Sequence, residues 1–382
     1  MQNVLLNDEQ TEIQRTLARF AKERIVPFAS QWDDEERFPR ELMAPLADLG
    51  LTAMTIPDEW QGAKQSRLSA AVAYESLATA DLSTVVWLAV HNMAAGIIAQ
   101  FGADSQKQKY LPEMAKGVML GAFSLSEAHA GSDPASLRTT AKYANGSYTL
   151  SGTKTWVTSG NVADVIIVMA REPGTTGSKG ISSFIVESGT PGFTVGKIER
   201  KMGLHASPTA ELIFDNCVIA EEQRIGAEGA GLKIALSALD SGRINIAAAA
   251  AGTAKAALEI ATAYAQERQQ FGKPIAEFQG VQFMLADMAV QIEAAELLTF
   301  QAAATLDTCG SATREAAMAK LFSTGMAQRV VSDAIQILGG AGYVKDWPLE
   351  RFMRDLKVTE IFEGTSQIQR IVIARSLLKK SK

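Results

Sequence analysis

The chain changes its hydrophobic rhythm twice, and those changes divide it. Near the start, Ile13, Leu17, Phe20 and Ala21 recur at helical spacing behind Asn7-Asp8-Glu9-Gln10. That pattern predicts a helix capped by Asn7, with Leu6 as a hydrophobic staple. Pro27 and Pro39 punctuate the next stretch. From Leu68 to Gln100, alanine and aliphatic residues run long enough for two well-buried helices, and Ser105 to Lys116 predicts a third, more polar one. Residues 1–117 therefore read as a helical domain.

The spacing then shortens. Thr139 to Tyr143 and Tyr148 to Leu150 flank Asn145-Gly146, which is hairpin chemistry. Trp156-Val157-Thr158, Val165 to Val168, Phe184 to Val186, Phe193 to Val195 and Glu211 to Phe214 come next at short intervals with Gly or Pro between them. Residues 118–228 thus predict a compact β-barrel or sandwich domain. After the glycine-rich turn Gly226 to Gly231, helical spacing returns in Leu232 to Gln270, Val281 to Leu306, Arg314 to Leu338 and a last run after Thr365. Four such segments predict a four-helix bundle over residues 229–382. Phe271-Gly272-Lys273-Pro274 ends the first and Gly339-Gly340 the third, while Ala247 to Ala251 reads as a close-packed stretch of helix. The expected fold class is α+β, multidomain and mainly α.

Composition narrows the chemistry. The 382 residues are 47% hydrophobic and 21% charged with a net charge of -5, and no Lys/Arg block stands out, so nucleic acid is not an expected partner. Cys217 and Cys309 are isolated, and His91, His129 and His205 show no metal-ligand spacing, so neither a zinc site nor a disulfide framework is expected. Met1 to Glu9 has no leader pattern, and no apolar run is expected to reach membrane-spanning length, so the chain reads as cytoplasmic. No dinucleotide fingerprint, Walker loop, nucleophile elbow or His-Glu-x-x-His occurs. Any cofactor site must be assembled from separate pieces.

The candidate chemistry centres on Glu363. Phe362-Glu363-Gly364-Thr365-Ser366 precedes the last helical run, so Thr365 or Ser366 caps a helix and Gly364 permits a sharp bend just before it. Glu363 then sits on an irregular turn at a positive helix end, either as a simple dipole-compensating acid or as a base held for proton abstraction from carbon. Taken alone, the Ala122 to Asp133 stretch is a polar loop or a close approach to a ring or phosphate, and Trp156 is β-domain core or site. Arg268 is a solvated helix-end charge or a phosphate ligand, and Asp240 with Arg243 is a surface i, i+3 pair or a binding feature.

Phe362-Glu363-Gly364-Thr365-Ser366-Gln367-Ile368-Gln369-Arg370 resembles the C-terminal signature of the acyl-CoA dehydrogenases, with Phe362 for the usual tyrosine. The resemblance extends over nearly the whole chain and implies that family's fold. It implies Glu363 as catalytic base, removing a proton beside a thioester carbonyl while a hydride passes to FAD. Ala122 to Asp133 resembles the flavin loop, with Ser126 for Thr and Ala128 for Pro, and implies FAD contacts from Phe123, Leu125, Ser126, Gly131 and Ser132. Trp156 and Thr158 match residues beside the flavin. Arg268, Phe271, Gln279, Gln336, Gly339 and Gly340 match positions that reach FAD of a neighbouring subunit, with Thr365 and Gln367 added to the cofactor set. Ser132, Asp240, Arg243, Phe362, Gly364 and Arg375 match substrate-contacting positions. Gly242 stands where some branches carry an alternative glutamate. The implied partners are an acyl-CoA, an electron-transferring flavoprotein and further copies of the chain in a homotetramer, without nucleic acid or membrane. Val90 to Met93, Lys179 to Ser182 and Gly242 to Ala247 resemble the short-chain and isobutyryl-CoA branch, implying short acyl groups, straight or branched. No arginine lies between Leu82 and Gln100, where the glutaryl-CoA enzymes carry one, so a dicarboxylyl substrate is disfavoured. The competing expectation is a flavoprotein scaffold of the same fold with diverted or lost chemistry.

Overall fold

The computed structural model describes residues 6–378. Helices α1 (Asp8–Arg24), α2 (Val26–Asp34), α3 (Met43–Asp48), α4 (Arg67–Ala78), α5 (Leu82–Phe101) and α6 (Asp104–Ala115) come first. The opening helix starts as its sequence requires. Asn7 Oδ1 accepts from the Gln10 N–H at 2.9 Å, Gln10 Oε1 accepts from the Asn7 N–H at 3.0 Å, and Leu6 packs on the core. At α5, Asp81 Oδ2 accepts from the Thr84 N–H at 2.7 Å.

One expectation needs correcting. By length and composition α5 and α7 (Gly231–Glu267) are apolar enough to cross a membrane, but 83% and 67% of their most apolar windows are buried inside the protein. They pack as core helices against other helices and against strands of the sheet.

The middle of the chain forms one eight-stranded sheet from β1 (Gly121–Ser124), β2 (Thr140–Ala144), β3 (Ser147–Thr158), β4 (Val165–Arg171), β5 (Ile181–Glu187), β6 (Phe193–Ile198), β7 (Thr209–Ala220) and β8 (Arg224–Ile225). The order is β6-β7-β3-β2-β4-β5-β8, with β1 parallel to β4. Asn145 and Gly146 both take positive φ, 53° and 76°, which is the turn that joins β2 to β3. Between β2 and β4 only Thr140 and Arg171 pair, so the sheet hinges there. Its two limbs close on a shared core that includes Leu150, Ile166, Val168, Phe184, Leu212 and Phe214.

The third part holds α7, a short ribbon of β9 (Gln269–Gln270) and β10 (Lys273–Pro274), then α8 (Gln279–Cys309), α9 (Thr313–Leu338), α10 (Leu349–Lys357) and α11 (Ser366–Leu378). The run Ala247 to Ala251 is wholly buried, letting α7 lie against α4, α5, α8 and α9. The short α10 is an element that the four-segment reading omits. It buries Leu349, Phe352 and Leu356, too few repeats in nine residues to register as a periodic signal.

Candidate active site

A cleft of about 850 Å³ lies where α5, the edge of the sheet, α7 and the start of α11 converge. Glu363 stands on its α11 side. The residue has φ 53° and Gly364 has φ 87°, so two consecutive left-handed residues reverse the chain ahead of α11. Left-handed backbone is unfavourable for glutamate, and it persists only where its surroundings hold it. Here Gln369 Nε2 donates to the carbonyls of Glu363 (3.0 Å) and Gly364 (2.7 Å), and Lys320 Nζ donates to the Gly364 carbonyl at 2.8 Å. Thr365 Oγ1 accepts from the Ile368 N–H at 3.2 Å and caps the new helix.

The carboxylate itself is left uncommitted. Its Oε2 is buried with no hydrogen-bond partner among the described residues. Burial pushes the Glu363 pKa up to about 7, with the positive charges of Arg243 and Lys320 pulling the other way. Gly242 makes room for it, because a Cβ there would lie 2.7 Å from both Glu363 Oε2 and Met93 Cε. Lys320 is fully buried, and its own pKa is pushed down to about 8 by that burial.

The opposite wall is built by the sheet. In the β3–β7 ladder two residues, Thr155 and Trp156, stand between the pairs Lys154–Leu212 and Val157–Ala210, where β7 has only Glu211. That bulge, with Trp156 at φ 57°, turns the indole outward into the cleft, leaving it 55% exposed. Trp156 is therefore not β-domain core. Thr158 lines the same wall with Phe123, Leu125, Ser126, Gly131 and Ser132. The loop that carries them is pinned from beneath. Lys154 Nζ donates to the Leu125 carbonyl (3.0 Å) and Glu127 Oε1 (2.8 Å), and Glu127 also accepts from the N–H groups of Arg138 (2.7 Å) and Thr139 (2.9 Å). A buried ion pair with its remaining hydrogen bonds satisfied holds one geometry.

Asp240 and Arg243 are not a surface pair. They are buried 2.9 Å apart at the mouth of the cleft, and Thr313 Oγ1 donates to Asp240 Oδ2 at 2.6 Å. Arg243 Nε has no partner among the described residues. Phe362, Gly364 and Arg375 join this wall.

Six expected residues stand elsewhere. Arg268, Phe271, Gln279, Gln336, Gly339 and Gly340 are exposed and do not line the cleft, and Gln367 is exposed at the start of α11. The six gather at one end of the antiparallel bundle, whose register is set by Lys255 Nζ donating to Glu296 at 2.8 Å and Arg329 Nη2 to Gln291 at 3.2 Å. Phe271, at φ 52°, is 92% exposed there.

The cleft fits a flat aromatic cofactor. It offers an open indole face, a hydroxyl at Thr158, a loop at Gly131 where even an added Cβ would meet nothing, and the buried, unpartnered hydroxyls Ser124 Oγ and Thr155 Oγ1 just behind. A buried carboxylate with an unpartnered oxygen, facing such a shelf, suits a flavin-dependent oxidoreductase acting on a C–H bond.

Three family models agree with that class: acyl-CoA dehydrogenase N-terminal domain over residues 7–118, middle domain over 122–217 and C-terminal domain over 229–378. The chain is 44% identical to the mitochondrial short-chain specific acyl-CoA dehydrogenase of Bos taurus, over 99% of this chain and 92% of that one. Among solved structures it is similar to butyryl-CoA dehydrogenase from Megasphaera elsdenii, with TM-score 0.95, 40% identity and 98% and 99% of the two chains covered. It is also similar to a chain of the structure described as the electron-transferring flavoprotein of Acidaminococcus fermentans, with TM-score 0.97, 42% identity and 99% and 100% covered. The chain belongs to the acyl-CoA dehydrogenase family.

Sequence reasoning missed Lys320, Gln369, Lys154 and Glu127. The first two are polar residues at positions that pack inward on α9 and α11, a local mismatch that could have flagged them.

Proposed function

We propose that this protein oxidises a short-chain acyl-CoA, straight or branched, to the trans-2-enoyl-CoA. The observation that carries the reading is the unpartnered Glu363 oxygen, buried opposite the Trp156 shelf with a pKa near 7. A base for a weak C–H acid needs high proton affinity, fixed placement and exclusion of water. Burial supplies the first, and the Lys320–Gln369 clamp supplies the second. Val86, Ala89, Val90 and Met93 of α5 give the cleft an apolar flank for a short acyl chain. Glu363 takes the proton from the carbon beside the thioester carbonyl, and its own backbone N–H donates to that carbonyl as negative charge develops. Bound FAD supplies the hydride acceptor, and an electron-transferring flavoprotein takes its electrons onward. Phe123, Leu125, Ser126, Gly131, Ser132, Trp156 and Thr158 would hold the ring, while Asp240, Arg243 and Arg375 suit the polar CoA arm.

Arg268, Phe271, Gln279, Gln336, Gly339 and Gly340 serve FAD of a neighbouring copy, so the working form is a homotetramer. The exposed stripe Phe283 (64%), Val290 (70%) and Leu297 (46%), at seven-residue spacing along α8, supports a second copy as its cover. A cytoplasmic location is in keeping with the free thiols of Cys217 and Cys309.

The test is an anaerobic absorbance titration of the FAD-loaded protein with butyryl-, isobutyryl-, isovaleryl- and octanoyl-CoA. Bleaching by the short thioesters is expected. A flavin that ignores all four would refute the activity, and a clear octanoyl preference would refute the chain length.

A further inference from the structure

The two walls of the cleft belong to different parts of the chain, the Trp156–Thr158 shelf to the sheet and Glu363 to the bundle. One fastener between those parts is Asp355, near the end of α10. Asp355 is wholly buried, and its Oδ1 accepts from the Leu204 N–H at 2.5 Å. Leu204 lies in the segment that joins β6 to β7 and stands at φ 54°, a left-handed backbone that leucine keeps only where its surroundings hold it. Beside it the two backbones touch, since a Cβ on Gly203 would lie 2.6 Å from the Arg354 carbonyl carbon and 2.7 Å from the Asp355 nitrogen. Asp33 of α2 braces both sides of the junction: it accepts from Arg354 Nη2 at 2.7 Å and stands 3.0 Å from His205 Nδ1.

From this junction a short, hydrogen-bonded path runs to each wall. On the sheet side the Leu204 carbonyl accepts from the Ser207 N–H at 3.0 Å, the Pro208 carbonyl accepts from the Ser159 N–H at 2.7 Å, and Thr209 pairs with Thr158. On the bundle side α10 continues into the tight turn Val358–Glu360, where Thr359 Oγ1 donates to the Leu356 carbonyl at 2.6 Å and the Phe362 N–H to the Val358 carbonyl at 3.0 Å. Glu363 follows directly. With so little slack on either path, a shift at the junction reaches Thr158 and Glu363 instead of being absorbed. Charge is not what Asp355 contributes. Burial pushes its pKa up to about 7, with Asp81 adding to the rise and the Leu204 N–H and Arg351 opposing it. Its Oδ2 has no partner among the described residues. The bond to Leu204 is what this buried group delivers, and a neutral amide oxygen can accept the same bond.

We propose that Asp355 is a positioning residue for the reaction, its bond to Leu204 setting the distance between the Glu363 carboxyl and the shelf that receives the cofactor. The inference rests on Glu363 and the cleft acting as proposed above. Asp355 itself does not line the cleft, so it acts only through the two segments it joins.

The experiment compares FAD-loaded wild type, Asp355→Ala and Asp355→Asn. Turnover is read as kcat and KM with butyryl-CoA. Geometry is read with (methylthio)acetyl-CoA, which has sulfur in place of the β carbon and so can lose its α proton but has no β hydride to give. Once ionised and stacked on the flavin, this ligand produces a long-wavelength charge-transfer absorbance that reports the gap between base and shelf without turnover. In Asp355→Ala, kcat should fall about tenfold or more with KM within about threefold of wild type, the scale on which a misplacement below about 1 Å acts. The band should weaken at saturating ligand, and amide exchange at Leu204 should speed up. Asp355→Asn should keep all of these near wild type. A merely structural role would lower the melting temperature but leave the band of the folded, saturated variant unchanged. An unchanged kcat and band in Asp355→Ala would overturn the proposal while leaving the dehydrogenase reading intact, and so would an Asp355→Asn as impaired as Asp355→Ala. Where Asp355→Ala does not fold, Asp355→Asn decides: a full band with slow Leu204 exchange supports the proposal, and a weakened band overturns it. If butyryl-CoA does not bleach the wild type, both readings fall together.

Discussion

The two ends of the proposed machinery are built differently. Around Glu363 a single chain provides everything: the strained turn, the Lys320 and Gln369 clamp, the gap at Gly242 and the Trp156 shelf. At the far end of the bundle Arg268, Phe271, Gln279 and Gln336 are exposed, and the Phe271 ring meets Phe278 edge to face. On the proposed reading, chemistry and cofactor retention would be separable here: a protomer would carry the proton-abstracting site, and another copy would complete its grip on FAD.

The largest expected effect attacks the first region. Glu363→Gln should lower the rate of anaerobic bleaching by about a thousandfold, within the range general bases supply, while FAD content stays normal. Rapid-mixing absorbance reads both quantities. Arg268→Ala attacks the second region, and FAD affinity should weaken by about thirtyfold or more from loss of a charge-assisted contact. Once that variant is saturated with FAD, its bleaching rate should remain near wild type. Equal damage to both quantities would mean that the regions are not separable. Lys320→Met removes an anchor and a positive charge together, so bleaching should slow about tenfold. Its pH midpoint should also move upward, because Lys320 holds the Glu363 pKa down.

The smallest effect is on stability. A carboxyl whose folded pKa is raised to about 7 favours the fold while protonated, and that contribution is lost as pH rises through 7. Glu363→Gln should therefore melt a few degrees above the wild type near pH 8, with the gap closing towards pH 5. A melting difference independent of pH would mean that Glu363 is not buried in solution.

Much of this was legible in the residues. The two changes of hydrophobic spacing mark the helical, β and helical parts, and Asn145-Gly146 and Asn7 to Gln10 specify their local structures through turn and capping chemistry that needs no distant partner. The capping pattern after an acid and a glycine marks the turn at Glu363, and its role as a base is what the resemblance to the acyl-CoA dehydrogenases implies. The hidden features depend on tertiary contact. Trp156 reads like a strand residue until the bulge turns it outward, and Lys320 and Lys154 look like ordinary lysines until their chains are seen buried on distant carbonyls.

The central claim is that an uncommitted carboxyl, raised by burial, removes the proton. It is tested most directly by the pH profile of kcat/KM with butyryl-CoA, which reports the free enzyme. The account predicts low values in acid, a rise centred near pH 7 as Glu363 ionises, and a plateau above it. A profile already flat from pH 5 upward would contradict it.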